Sequence, residues 1–305
     1  GYGVGKLALA GLLTNSFARP AGTHFAPKAK RVIHLFQAGA PSQLELFDNK
    51  PKLKAFEGKP LPPSVIGDQR YAFIQRDAAV LGPRFPFARH GQCGAELSDK
   101  LPHLAKVVDE IAIIRSMHTG ANGHEVSIRY WHGGIPGITG RPTLGSWITY
   151  GLGSESNDLP SYMVLTDPGG HPVDGVHNWS NGWMPSLFQG TVLRPKEPRI
   201  FNLTPPEYLR GGLQEQNLAF LRQLNEQHLS THPGEHELES RIESYELAAR
   251  MQTAATDALD LSQESEATKK LYGLDHPTTK EYGTRCLSAR RLVERGVRFV
   301  QLFLG

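Results

Sequence analysis

The chain has little cysteine: Cys93 and Cys286 are the only two in 305 residues. Two thiols exclude a disulfide framework and a cysteine-built zinc site by count. A single bridge remains open beside two buried free thiols, and the free thiols are the expectation. An excess of charge is missing as well. Lys plus Arg number 33 and Asp plus Glu 30, a formal net charge of +3, with the signs interspersed. No polybasic arm or acidic tail exists, so nucleic acid is not an expected partner. No apolar run has the length of a membrane-spanning helix, so no integral membrane segment of that kind is expected. Internal repeats and low-complexity tracts are absent, which removes the repeat architectures.

Glycine and proline are plentiful: 32 and 22 residues, well above the usual share of about 12%. They show no collagen period, so the excess means many loops. The length suits one large domain or two small ones and can bury a core without staples.

Gly3–Ala18 (GVGKLALAGLLTNSFA) is small and apolar, and a polar, Pro-containing spacer follows it. It suits the apolar region of a secretory signal whose charged leader is missing. An amphipathic helix at a domain edge is the other reading. Gly3 and Gly5 before Lys6 do not make a phosphate loop, because the spacing is wrong and no Ser or Thr follows the lysine.

Further along, Arg31–Phe36 (RVIHLF), Ile111–Met117 (IAIIRSM), Ser161–Thr166 (SYMVLT) and Arg298–Leu304 (RFVQLFL) read as strands. Leu101–Glu110 and Thr143–Tyr150 read as helices between them. Alternation of the two types predicts an α/β fold with a largely parallel sheet flanked by helices. Thr204 and Glu207 predict a capping box that opens a helix to about Leu229. A second helix is expected over 236–259. Thr278 and Glu281 predict another capping box, with its helix stopped by Gly296.

In open parallel sheets, ligands bind beyond the carboxyl ends of the strands. Three of the predicted strands feed polar, Gly-containing loops. The first carries Ser42, Glu45 and Asp48. The second carries His118, Thr119, Asn122, His124 and Glu125, and the third Asp167, His171 and Asp174. Glu45 and Asp48 can hold a hard cation through oxygen or merely form turns. His118 and His124 can ligate a metal, orient an anion, act as acid and base, or bond the loop. Thr119 is the hydroxyl best placed for nucleophilic attack, although a threonine there also serves as a cap. His132, beside Trp131, reads as packing. Trp131, Trp147, Trp179 and Trp183 lie close in sequence and can wall a pocket or stack on sugar. Core packing is favoured for Trp147 alone.

Four segments together, Lys30–Pro51 (KRVIHLFQAGAPSQLELFDNKP), Ile111–Glu125 (IAIIRSMHTGANGHE), Gly140–Ser154 (GRPTLGSWITYGLGS) and Cys286–Gln301 (CLSARRLVERGVRFVQ), resemble a large bacterial family. It is the secreted proteins that carry domain of unknown function 1501. The LALAGLL stretch is similar to the end of that family's twin-arginine signal, without the arginine pair. The resemblance implies an alkaline-phosphatase-like fold related to sulfatases, and a periplasmic or secreted protein. Residues 1–29 are then a signal remnant and spacer, and 30–305 the N-terminal part of the domain.

The family's first motif falls on Gly39, Ala40, Pro41, Ser42, Glu45, Phe47 and Asp48, with Ala40 and Glu45 as departures. Its second falls on Met117, His118, Thr119, Asn122 and His124. The superfamily's metal-binding Asp after the first strand is replaced here by Gln37 and Ala38. The resemblance implies hydrolysis of sulfate or phosphate esters with a divalent metal (Zn, Ca or Mg). Thr119, His118, Asn122 and His124 are the catalytic candidates. Glu45 and Asp48 are the metal candidates, and Ser42, His171, Trp179 and Trp183 the substrate-binding ones. A small anionic ester or a sulfated polysaccharide is the implied partner. A non-catalytic extracellular binding protein on the same fold is the alternative. The family continues with further acid and histidine motifs past the position of Gly305. The chain is therefore expected to be C-terminally truncated, to be inactive as it stands, and to leave its last strand with an unpaired edge or an exposed apolar face.

Overall fold

The computed structural model describes residues 26–39, 41–68, 75, 77–121, 123–203, 206–209 and 212–305. Its strands are β1 (Val32–Gln37), β2 (Phe87–His90), β3 (Ala95–Ser98), β4 (Tyr162–Leu165), β5 (Thr191–Leu193) and β6 (Phe299–Leu304). The α-helices are α1 (Gln43–Leu46), α2 (Pro63–Ile66), α3 (His124–Gly133), α4 (Leu144–Leu152), α5 (Leu213–Thr231), α6 (His236–Leu259), α7 (Glu266–Leu271) and α8 (Pro277–Glu294). The chain divides into two compact units, Gly1–Ala38 with Thr119–Gly305, and Gly39–His118.

The first unit is α/β. Its sheet has the order β1-β6-β4-β5, and every neighbouring pair is parallel. The register aligns Val32, Phe299 and Tyr162. A parallel sheet must be covered on both faces, so its inner strands read as nearly continuous apolar runs. FVQLFL and YMVL fit that rule, and β4 is buried throughout. On one face Met163, Leu165, Val300 and Leu302 pack against Met251, Ala255 and Ala258 of α6 and Ala289 and Leu292 of α8. On the other, Tyr162, Val164, Phe299 and Phe303 pack with Trp179, and Ile148 of α4 lies against them.

Arg298 ties down the amino ends of the strands. Its guanidinium donates to the carbonyls of Leu152 and Gly153 where α4 stops, and to Lys30 just before β1. A cation at a helix C-terminus satisfies carbonyls that the helix itself leaves open.

Three of the four expected strands lie in this sheet, and Ile111–Met117 does not. That segment belongs to the other unit and forms no strand. Its Ile111, Ile114 and Met117 are exposed. Strand propensity without a partner to pair and pack against does not make a ladder. The fourth strand is the three-residue β5, too short to leave a pattern. β6, expected to have an open edge or an exposed face, is instead an inner strand, paired with β1 and β4 and almost wholly buried. Exposed apolar side chains occur on β1, at Ile33 and Leu35.

Helix ends also differ. α8 is capped by the His276 ring, whose Nδ1 accepts from the Thr278 N–H, rather than by a Thr278–Glu281 box. Glu281 instead pairs with Arg285. Thr204 lies outside the described residues, and the helix expected from it begins only at Leu213, after Gly212 in the left-handed region. Leu104–Glu110 is 3-10 rather than α, broken at Val107. α6 spans the expected 236–259.

The second unit contains the β2–β3 antiparallel hairpin, the short helices α1 and α2, and two 3-10 segments. Both cysteines are free thiols, as expected, but Cys93 in the hairpin turn is exposed and Cys286 is only half-buried. Burial pushes the Cys286 thiol up. No helix among the described residues is long and apolar enough to cross a membrane.

Candidate functional site

The carboxyl ends of β4 and β6 meet over one side chain, Arg285. It projects from α8 and is fully buried. Its guanidinium donates to the Thr166 carbonyl (3.3 Å) and the Phe303 carbonyl, to Asp167 (2.9 Å) and to Glu281 (2.7 Å). A planar fork serves such a junction better than an ammonium would, because it reaches several acceptors at fixed angles. Asp167 follows β4 directly and also accepts from the Gly169 N–H at 2.8 Å. Burial raises its pKa, but the Gly169 and Gly305 N–H groups and the Arg285 charge outweigh that and hold the carboxyl below its ordinary range. An ionised carboxylate therefore stands at the carboxyl edge of the sheet.

A second polar group lies on the sheet face beneath α3. His34, on β1, points inward in register with Gln301 and Val164. Its ring lies 5.7 Å from that of His132 on α3, and both rings contact Phe36. His132 is buried, and its Nδ1 lies 3.0 Å from Asn178 Oδ1. The Asn178 amide nitrogen donates to Val173 and Gly175 at 2.9 Å each, which leaves Oδ1 as the acceptor. The His132 proton is therefore on Nδ1. The Trp131 indole donates to His34 Nε2 at 3.3 Å, which puts the proton of neutral His34 on Nδ1. The pair thus presents a donor, His34 Nδ1, and an acceptor, His132 Nε2; neither is hydrogen-bonded.

Burial, followed by the neighbouring His34, pushes His132 down to about 3, and burial also lowers His34. Both imidazoles are neutral at pH 7. Alongside, Arg129 of α3 holds the nearly buried Asp174 through two bonds of 2.6 and 2.7 Å. Asp174 itself sits at φ +74°, a left-handed conformation in which Asp is among the tolerated residues.

The sequence candidates are divided between the units. In the second unit, Ser42 is the N-cap residue of α1 with no side-chain bond to the helix. Glu45 accepts from the Arg84 N–H at 3.1 Å, and Asp48 pairs with Lys50 at 2.7 Å. His118 is exposed and closes that unit. In the first unit, Thr119 Oγ1 lies 3.0 Å from both the Ala121 carbonyl and Ser127 Oγ, so its hydroxyl closes the turn before α3. His124 is the first residue of α3 and exposed. Asn122 lies outside the described residues. His171 is exposed, with its ring 5.5 Å from that of Trp179. Trp179 is buried in the core against Phe303, so its ring is a packing element. Trp183 is 65% exposed, and Trp147, expected in the core, is only half-buried.

The metal implied by the resemblance needs several convergent ligands. Among the described residues no group of three His, Cys, Asp or Glu side chains is placed to hold an ion, and Glu45 and Asp48 have the partners given above.

A family model described as "Protein of unknown function (DUF1501)" matches residues 29–305. The chain belongs to this family. No curated protein and no solved structure matches it. The DUF1501 match covers every candidate named so far. Arg285 was missed because an arginine inside a helix reads as a solvated face. His34 carried a usable signal: it is a polar residue on the inward alternation of an apolar strand. His132 beside Trp131 reads as packing and is indeed buried, but its link to Asn178 spans 46 positions and leaves no local pattern.

Proposed function

We propose that this DUF1501 protein is a secreted hydrolase of sulfate or phosphate esters on an alkaline-phosphatase-like fold. The observation that supports this best is the N-terminal end of α3. Its N-cap is Gly123, which has no side chain to satisfy the first N–H groups, and its first residue is the exposed His124. Such an end attracts anionic oxygens through its donors and dipole. An imidazole at that point can pass a proton to a leaving oxygen or take one from water. Glu125 opposes an anion, but its charge is offset by Arg129 four residues on. Thr119 and Ser127 fix the loop that leads into this turn.

The divalent metal belongs to the same reading, and no step is assigned to it, because the described residues do not assemble its ligands. The test is a panel of aryl sulfates and aryl phosphates, each assayed after chelation and again with Zn, Ca or Mg added. Turnover is expected of the full-length gene product, and His124→Ala in it should lower kcat by about 10²–10⁴-fold, the usual contribution of a general acid or base. Absence of turnover by the full-length product under every metal condition would overturn the hydrolase reading in favour of the binding protein.

A further inference from the structure

An aromatic ridge runs along the outer side of α4. Successive ring centroids are Phe188 to Tyr150 at 5.3 Å, Tyr150 to Trp147 at 6.3 Å, and Trp147 to Trp183 at 5.4 Å. Each contact is edge-to-face, with interplanar angles of 78–85°. Trp147 and Tyr150 share a helix face because they are three residues apart. Trp183 is 65% exposed and Tyr150 48%, although each touches another ring.

The turn that carries the exposed tryptophan is closely packed and hydrogen-bonded. Gly182 has φ +58°, and a Cβ there would lie 2.4 Å from the backbone of Arg141 and Pro142. The Ser180 carbonyl accepts from Thr143 N–H at 3.0 Å and from Ser146 Oγ at 3.1 Å. Asn181 donates its side-chain N–H to the Met184 carbonyl, and Met184 is buried beneath the turn. Folding thus fixes a large apolar ring in water when the same loop buries its neighbour.

The two segments that carry the rings are themselves uncharged. Residues 142–154 and 175–193 contain no Asp, Glu, Lys or Arg. The hydrogen-bonding groups they offer next to the rings are neutral: the Tyr150 hydroxyl, Asn181, Ser186 and Gln189. Arg141, just outside, has its Nε buried. An anionic ester or sulfated chain needs cations to offset its desolvation, and none is carried by these segments. Flat aromatic faces with neutral donors and acceptors suit a ligand with apolar C–H faces and hydroxyl edges.

We propose that the Trp183–Trp147–Tyr150–Phe188 ridge binds a neutral polysaccharide chain, laid along α4 with its sugar faces against the exposed rings. Trp183, which the resemblance offers to an ester substrate, is assigned here to the polymer instead; the ridge includes neither His124 nor the N-terminal end of α3, so the two readings are tested separately.

The test is native affinity electrophoresis of the whole protein in gels containing hydroxyethyl cellulose, galactomannan or arabinoxylan, with dextran sulfate as the charged counterpart. At least one neutral polymer should retard the protein, and Trp183→Ala and Tyr150→Ala should each weaken that retardation at least ten-fold. Circular dichroism unchanged from wild type shows that the variants are folded, and Trp183→Phe should retain part of the binding. His124→Ala, which should lower aryl-ester turnover, should leave the retardation unchanged. Lack of retardation by every neutral polymer, equal retardation of Trp183→Ala, or preference for dextran sulfate would each overturn the proposal. So would sedimentation showing a dimer of the wild type that Trp183→Ala dissolves, because the ridge would then be covered by a second copy.

Discussion

At the scale of single residues, two helix glycines show how neighbours set the sign of a substitution. Gly283 lies within α8, and a Cβ there would sit 1.9 Å from the Tyr272 carbonyl oxygen and 3.2 Å from Leu274 Cδ1. Backbone cannot yield as a flexible side chain can. Gly283→Ala should therefore destabilise by about 1–3 kcal/mol through overpacking, despite the roughly 1 kcal/mol that alanine gains in helix propensity. Gly133, the last residue of α3, meets nothing closer than 4.0 Å. There the propensity term stands alone, and Gly133→Ala should stabilise by up to about 0.5–1 kcal/mol. Thermal melts of the two variants check both signs; a gain from Gly283→Ala would mean that the turn around Tyr272 is looser than described.

At the scale of elements, the seat of α3 on β1 depends on two neutral imidazoles. Both His34 and His132 have folded pKa values below the unfolded value near 6.5. Below that pH the unfolded chain takes up protons that the folded chain refuses. Stability is therefore complete above about pH 6.5 and falls as the pH drops, for His132 until about pH 3. Each fully shifted group contributes a slope of about 1.4 kcal/mol per pH unit in its window. Arg129, Asp174 and Glu125 also surround this seat, but they are present in wild type and variant alike. His132→Gln removes one titrating group and roughly keeps the volume. Denaturant melts at pH 7 and 5 should show wild type losing more stability than the variant; parallel losses would show that His132 is not held neutral.

At the scale of the whole molecule, the inner strand β6 organises the parallel sheet. Leu302 has no exposed surface and packs in the core against α6 and α8, whereas Leu35 on β1 is 52% exposed. Leu302→Ala should cost about 2–5 kcal/mol by lost transfer energy and the cavity left behind. Leu35→Ala should stay within about 0.5 kcal/mol. All four tryptophans belong to the unit that holds the sheet, so indole fluorescence follows its unfolding separately from the other unit. Equal costs for the two leucines would contradict the assignment of β6 to the interior.

Much of this was legible in the residues themselves. Local rules marked β1, β4, β6, α4 and α6, because unbroken apolar runs and helical spacing act over a few residues. The family was legible too, from four short segments in order. Ile111–Met117 shows where local rules stop: its composition suits a strand, but only pairing makes one. The sites were less legible still. His34, His132 and Asn178 come from three distant segments, and Arg285 gains its role only because the ends of β4 and β6 converge on it. The sequence by itself determined which segments are apolar enough to be buried and which loops carry reactive side chains. Only the tertiary structure decided which tryptophan is core and which faces water, which histidines lose their charge, and which strand is central. Those properties depend on desolvation and on partners remote in sequence, and no local pattern encodes either.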